Sequence, residues 1–457
     1  MARPTTIFHC TSCGDSTPKW LGKCPACGAW NTLVEDTAPT VKRGSPLRRS
    51  SIADGAARPI TEVSTTDAPR LLLEMGELDR VLGGGLVKGA LVLVGGEPGI
   101  GKSTLLLGIA GRLASRGSTV LYVSGEESAP QTRMRAERIG ALKENILLLC
   151  ETDLARIESV VEKTAPAALI VDSVQTMTDP LVDSVAGSVS QVRAVCARLL
   201  DIAKQRGIAI FLVGHVTKDG AIAGPKTLEH MVDTVLSFES ARGGPYRMLR
   251  STKNRFGSTH ELAVFEMRSE GLVPVDNPSA VFLAERPKGR PGSAVAAAIE
   301  GTRPLLVEIQ ALCVDAPFGS PRRTTLGVDS TRTALLSAVL DRRCGLSLAG
   351  MDLFVNVAGG ISLEETAADL PVALAIASSL RGVPIDAGLV CFGEVGLGGE
   401  IRGVVRPDER LQEAQKLGFT RALVPLFGSD RIRPPAGIAL LPVSSLEEAI
   451  DTALATS

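Results

Sequence analysis

One short stretch limits this chain more than any other. Gly96-Glu97-Pro98-Gly99-Ile100-Gly101-Lys102-Ser103 satisfies the pattern G-x-x-x-x-G-K-S/T in full. It lies between two apolar runs, Leu91-Val92-Leu93-Val94 before it and Leu105-Leu106-Leu107 after it. A strand, a glycine-rich turn and a helix in that order make a phosphate-binding loop. The glycines let backbone N–H groups face phosphate oxygens, and the helix N-terminus adds its own. The pattern predicts a site for a nucleoside triphosphate, ATP with Mg²⁺. Lys102 is expected to reach the β- and γ-phosphates, Ser103 to ligate Mg²⁺, and Thr104 to lie at the helix start beside the nucleotide.

Two further apolar runs end in carboxylates. Ala168-Leu169-Ile170-Val171-Asp172 makes Asp172 the natural acidic partner of Mg²⁺. Val120-Leu121-Tyr122-Val123-Ser124-Gly125 runs into Glu126 and Glu127. An ATPase needs a base or water-orienting group beside the γ-phosphate. Glu126 is the preferred candidate, with Glu127 in support; the alternative is that both glutamates cap the next helix.

The 457 residues suggest two or three domains. Aromatics are only 3% of the chain, so its cores are built from Val, Leu, Ile and Ala. A formal net charge of −1 leaves no overall nucleic-acid footprint, so any such binding comes from local patches. No apolar run reaches membrane-spanning length, and Met1-Ala2-Arg3-Pro4 opens no signal segment. The expected location is cytoplasmic. Four regions are expected: a cysteine-rich module over 1–35, a flexible basic linker over 36–66, an α/β domain over 67–285 and a second α/β domain over 286–457. Strand-like runs at 91–95, 119–124, 168–172 and 208–214 alternate with helical patterns, which predicts a parallel sheet. In the last region, strands are expected near 305–312 and 353–357 and a helix near 367–380.

Cys10-x2-Cys13 and Cys24-x2-Cys27 form two knuckles separated by ten residues. Such knuckles bring four thiolates to one tetrahedral Zn²⁺. Gly14 and Gly28 follow the knuckles, where a turn can use positive φ. Two redox pairs or disulfides are the other reading; neither pair opens a βαβ unit.

The order of strand, phosphate loop, strand-Gly-Glu-Glu and strand-Asp resembles the RecA-type ATPase core. The chain as a whole resembles the bacterial RadA (Sms) family of DNA-repair proteins. The likeness is carried by the paired knuckles, the phosphate loop, Lys253-Asn254-Arg255-Phe256-Gly257, and the stretch from Gly214-His215-Val216-Thr217-Lys218 to Leu228-Glu229-His230-Met231-Val232-Asp233. It implies a RecA-like core preceded by the zinc module and followed by a Lon-protease-like α/β domain. Lys253 and Arg255 alternate, so in a strand both can point to one side. The further resemblance to hexameric DnaB-type helicases implies that this pair reaches a neighbouring subunit's γ-phosphate as a finger in trans, in a ring or filament. Without that likeness, a solvated strand end is the commoner fate of such residues. The same likeness makes the segment 217–226, with Lys218 and Lys226, a candidate DNA loop, and His215 a candidate γ-phosphate sensor. The linker arginines Arg43, Arg48, Arg49 and Arg58 form a second basic stretch.

An active Lon-type site needs a nucleophilic Ser and a Lys base. Ala367 and Asp408 stand at the matching positions here, which implies a catalytically inactive scaffold. Its paired arginines, Arg322, Arg323, Arg342 and Arg343, are either solvated or a DNA surface.

The implied function is a DNA-dependent ATPase of recombinational repair. It would bind single-stranded and branched DNA, drive branch migration as a hexameric helicase, and work beside a RecA-type recombinase. The rival readings are an ATP-binding switch that acts on protein partners and, less favoured, an ATP-dependent protease.

Overall fold

The computed structural model describes residues 6–10, 16–17, 19–26, 28–37, 61, 70–215, 227–240, 245–259, 261–316 and 321–455. The chain divides into two compact units between Val275 and Asp276.

At the N-terminus, β1 (Thr6–Cys10), β2 (Ser16–Thr17) and β3 (Leu33–Thr37) form a small antiparallel sheet in the order β2-β1-β3. After the linker, β4 (Arg70–Leu71) and β5 (Leu86–Val87) make a two-stranded ribbon around α1 (Gly76–Val81).

The main sheet of the first unit follows. Its elements in chain order are β6 (Leu91–Gly96), α2 (Lys102–Ser115), β7 (Val120–Ser124), α3 (Ala129–Arg138), β8 (Ile146–Cys150), α4 (Leu154–Thr164), β9 (Ala168–Asp172), α5 (Val189–Arg206), β10 (Ala209–His215), α6 (Thr227–Met231) and β11 (Thr234–Ser240). An antiparallel meander closes it: β12 (Tyr246–Asn254), β13 (Leu262–Arg268) and β14 (Gly271–Pro274). The strand order is β14-β13-β12-β11-β6-β10-β9-β7-β8. The strands from β11 to β8 in that order are parallel.

The apolar runs are unbroken because both sheet faces are covered. Val92, Val94, Tyr122, Ile170, Phe211 and Val213 share one core with Leu105, Leu106 and Ile109 of α2. Their alternates Leu91, Leu93, Leu121, Val123, Leu169 and Leu212 share the opposite core with α4 and α5, through Ile157, Val161, Val195 and Leu199. The expected parallel strands are all present. The meander was not foreseen, because β12 carries Arg247, Arg250 and Lys253 and lacks an unbroken apolar run.

The second unit opens with α7 (Pro278–Leu283) and a sheet of β15 (Ser293–Glu300), β16 (Arg303–Asp315), β17 (Arg323–Leu326), β18 (Met351–Val357), β19 (Leu389–Cys391), β22 (Arg421–Pro425) and β23 (Ala439–Val443). The short hairpin β20 (Glu394–Val395) and β21 (Ile401–Arg402) lies outside that sheet. Helices α8 (Ser330–Cys344), α9 (Asp369–Arg381), α10 (Pro407–Lys416) and α11 (Leu446–Leu454) complete the unit. The boundary expected at 285/286 falls earlier, because Ser279 of α7 is bonded into this unit: its Oγ donates to Glu413 at 2.8 Å and accepts from Leu306 N at 3.1 Å. The helix expected over 367–380 begins at Asp369, after a 3₁₀ turn over Thr366–Ala368.

Arg410 is the largest fully buried side chain among the described residues, at 0% exposure. Its guanidinium donates to Glu365 at 2.8 and 2.7 Å and to Ala297 O at 2.5 Å, and lies 5.6 Å from the Phe392 ring centre. Glu365 also accepts from Ile299 N at 2.6 Å. The pair thus ties α10 to β15 and to the turn before α9. Removing Arg410 leaves the Glu365 carboxylate, 21% exposed, without its cation and empties a buried site, so Arg410→Ala is expected to cost about 3 kcal/mol, the low end for a broken buried pair. Thermal unfolding followed by circular dichroism should show a clear drop in the midpoint of the second unit's transition; an unchanged midpoint would contradict this role.

Candidate nucleotide site

β6 ends at Gly96 and α2 begins at Lys102. Between them the chain turns through left-handed conformations at Gly99 (φ 77°) and Gly101 (φ 114°), which only glycine adopts cheaply. Gly96 is bare for a different reason: a Cβ there would lie 2.6 Å from the Phe238 carbonyl oxygen of β11. Lys102 is buried, and its Nζ donates to Gly96 O at 2.8 Å and Glu97 O at 2.9 Å. Burial lowers its pKa, and the nearby Asp172 and Glu126 carboxylates act in the opposite direction. Thr104 is buried in the first turn of α2.

Parallel pairing brings the other groups to the same end of the sheet. Ser124 is in register with Asp172, and His215 with Gly96. The side chain of His215 lies outside the described residues. Tyr122 and Asp172 alternate onto the α2 face of their strands, where the Tyr122 hydroxyl donates to Asp172 Oδ2 at 2.6 Å. Both are buried, and burial raises the Tyr122 pKa well above its usual value, with the Asp172 charge adding to the effect. Tyr122 therefore keeps its proton and remains a donor to Asp172 Oδ2.

The two glutamates after β7 part company. Glu127 forms an ion pair with Arg135 of α3, and its backbone is bonded to Ser124 Oγ. Glu126 Oε1 accepts from Ser173 Oγ, next to Asp172. Glu126 is thus the carboxylate that senses Lys102. The helix cap proposed as the alternative role is taken by Ser128 and Gln131, which form a capping box.

Lys253 is the next-to-last residue of β12, and Arg255 lies just beyond the strand. This corrects the simple alternation expected for the pair. Lys253 Nζ donates to Glu229 O at 2.6 Å and His230 O at 3.2 Å; burial lowers its pKa, helped by Arg255. Arg255 Nη1 is 3.2 Å from Asp233 Oδ1. Asp233 is bonded to Leu91 at the start of β6, so both cations sit at the strand end opposite the phosphate loop of their own chain. The separation along β6 is about 16 Å at roughly 3.3 Å per residue. The rest of the segment has structural work. Asn254 Oδ1 accepts from Phe256 N at 2.9 Å, and a Cβ on Gly257 would lie 2.7 Å from Gly83 Cα.

Residues 57–221 match the model of an AAA domain, residues 8–35 a rubredoxin metal binding domain, and residues 328–427 subunit ChlI of Mg-chelatase. The chain is 50% identical to the DNA repair protein RadA of Bacillus subtilis over 459 residues, 99% of this chain and 100% of that one. It is 49% identical to RadA of Halalkalibacterium halodurans over 458 residues, with coverage of 99% and 100%. For RadA of Listeria monocytogenes the identity is 48% over 453 residues, 99% of each chain. The chain belongs to the RadA family of DNA repair proteins. It has the family's order of domains: a zinc-ribbon module, a P-loop ATPase core and a Lon-like α/β domain.

In the zinc-ribbon module, Cys10 and Cys24 are buried in one small cluster with Leu33 and Phe8. Cys24 O accepts from Gly28 N at 2.9 Å, and Gly28 has φ 72°, as its place after a knuckle requires. Cys13, Cys27 and Gly14 lie outside the described residues, as do Lys218, Lys226 and the linker arginines. In the C-terminal unit, Ala367 is buried and offers only a methyl group, while Asp408 Oδ1 accepts from Arg433 N at 2.9 Å. Arg323 donates to Leu348 O at 2.9 Å and also to Met351 O, whereas Arg342 and Arg343 are exposed on α8. No helix among the described residues is long and apolar enough to cross a membrane.

Reading the sequence missed Tyr122, Ser173 and Arg135. Tyr122 lies two residues before Ser124 on an apolar strand and looks like core; only the pairing of β7 with β9 brings its hydroxyl to Asp172. Tyr122→Phe removes that hydrogen bond while keeping the ring. Loss of a partner that orients a metal-binding carboxylate costs about 10–100-fold in metal affinity or activity. The expected result is a comparable rise in the Mg²⁺ concentration needed for half-maximal ATP turnover; an unchanged Mg²⁺ dependence would rule the role out.

Proposed function

We propose that this protein is a DNA-dependent ATPase of recombinational repair. It binds single-stranded and branched DNA as a homo-oligomeric ring, a hexamer by its likeness to DnaB-type helicases, and drives branch migration beside a RecA-type recombinase. The observation that carries the ATPase part is the convergence of Lys102, Asp172 and Glu126 at one edge of the parallel sheet. The DNA part is supported by near full-length identity with proteins named for DNA repair.

On this reading the backbone N–H groups of residues 96–103, those of Gly96, Glu97, Gly99, Ile100 and Gly101 onward, cradle the phosphates, Pro98 fixes the turn without donating, and Lys102 lies on the β- and γ-oxygens. The donor set fits Mg²⁺: Ser103 supplies a hydroxyl and Asp172 a carboxylate oxygen, both hard ligands. When bound, Mg²⁺ would neutralise charge on the triphosphate. Glu126 accepts the proton of the attacking water, oriented by Ser173. Lys253 and Arg255 reach the γ-phosphate of the next subunit, since their own phosphate loop is at the other end of β6. The buried thiols of Cys10 and Cys24 fit a zinc site completed by Cys13 and Cys27, for which Zn²⁺ would supply a structural crosslink. The second unit acts as a scaffold: Ala367 and Asp408 supply neither nucleophile nor base.

Steady-state ATP hydrolysis with and without single-stranded DNA, at two salt concentrations, tests the reading. Stimulation that weakens with salt is expected, because contacts to the phosphate backbone release counterions. Lys102→Ala should abolish turnover. Hydrolysis indifferent to DNA would favour instead an ATP-dependent switch acting on protein partners.

Both tryptophans of the chain, Trp20 and Trp30, lie in the zinc-ribbon module. Stripping the metal with a strong chelator should therefore change tryptophan fluorescence while the thermal transition of the ATPase core stays in place. A fluorescence change accompanied by collapse of the core would contradict an independent module.

A further inference from the structure

We propose that Asp233 is a positioning residue, which sets where Arg255 is presented to a neighbouring subunit's nucleotide. The proposal rests on the trans-acting role given to Arg255 above. Asp233 is 1% exposed and lies between α6 and β11. Its backbone is pinned on both sides: Asp233 N donates to Leu91 O at 3.0 Å, and Arg255 N donates to Asp233 O at 3.1 Å. Its carboxylate takes three donors. Oδ2 accepts from Leu91 N at 3.0 Å and from Lys204 Nζ at 2.7 Å, and Oδ1 accepts from Arg255 Nη1 at 3.2 Å.

This arrangement is poorly explained by stability alone. The buried Asp233 carboxylate needs compensation, but Leu91 N and Lys204 already supply it at Oδ2; the further pair to Arg255, whose side chain is 55% exposed, adds little. It does restrict Arg255, which would otherwise lose much rotamer freedom on meeting a ligand. Because Oδ2 is committed to Leu91 and Lys204, Arg255 gets one oxygen and not the two-pronged contact that would sequester it. Its remaining N–H groups stay available to an outside anion such as a γ-phosphate. Lys204 is fixed in turn: its Nζ lies 5.8 Å from the centre of the Phe256 ring. Arg255, Phe256, Lys204 and Asp233 thus form one unit anchored to the first residue of the strand that carries the phosphate loop.

Asp233→Asn keeps the shape and an acceptor for Leu91 N but removes the charge that holds Arg255. A misplacement of about 1 Å can cost about 10²-fold in rate, and a loss of that order in kcat is expected, with ATP binding unchanged. In an Arg255→Ala background the same change should cost nothing further. Mixing Asp233→Asn subunits with Lys102→Ala subunits should restore turnover, since the latter lack a working site but carry an intact Arg255. A wild-type kcat, an additive loss, or a loss not rescued when that of Arg255→Ala is rescued would overturn the proposal. If Arg255→Ala subunits are not rescued either, the trans role itself falls. Lys204→Gln, at a half-exposed position, guards against misfolding of the buried variant. It frees Oδ2 to draw Arg255 inward, so kcat should fall several-fold; an unchanged kcat would also overturn the proposal.

Discussion

Parallel pairing of β6 with β10 and β11 is the constraint on which the rest of the first unit depends. Parallel strands present like ends together. The carboxyl ends of β6, β7 and β9 therefore deliver Gly96, the Glu126 segment and Asp172 to one edge. The opposite edge receives Asp233, Lys253 and Arg255 through the start of β11 and the bulged end of β12. Crevices beyond the carboxyl ends of strands are where open α/β sheets bind ligands. The same pairing that builds the site thus separates it from this chain's own Lys253 and Arg255.

Burial on both sheet faces adds a second layer of control. Alternate residues of each strand enter opposite cores, so each strand has a fixed choice of which side chains face α2. Tyr122 and Asp172 fall on that face and meet through one hydrogen bond. Glu127 is drawn to Arg135 and Glu126 to Ser173, so two adjacent carboxylates acquire different surroundings. The distinction arises from the neighbours each carboxylate meets, Arg135 on the next helix and Ser173 beyond the end of β9, not from the Glu-Glu sequence itself.

The second unit uses a buried charge differently. Arg410 and Glu365 are arranged around backbone carbonyl and amide groups, and every contact serves to join elements. A fully buried Arg is tolerated only when its donors are matched in this way. The pair lies close in sequence to Ala367 and Asp408, where a protease would keep its nucleophile and base.

Much of the site was legible in the sequence. The phosphate loop, the strand ending at Asp172 and the paired knuckles each depend on local spacing, and local spacing is what a sequence displays. The parallel strands were legible for a similar reason, since strands covered on both faces appear as unbroken apolar runs. The meander β12–β14 and the early start of the second unit were not, because the charged strand β12 and the short helix α7 lack a distinct period. Tertiary structure alone decided the partners: Tyr122 with Asp172, Ser173 with Glu126, and Asp233 with Arg255 and Lys204. These pairs are separated by 20 to 50 residues. Such contacts depend on strand register and on which face each side chain enters, and neither is written in the spacing of any one segment.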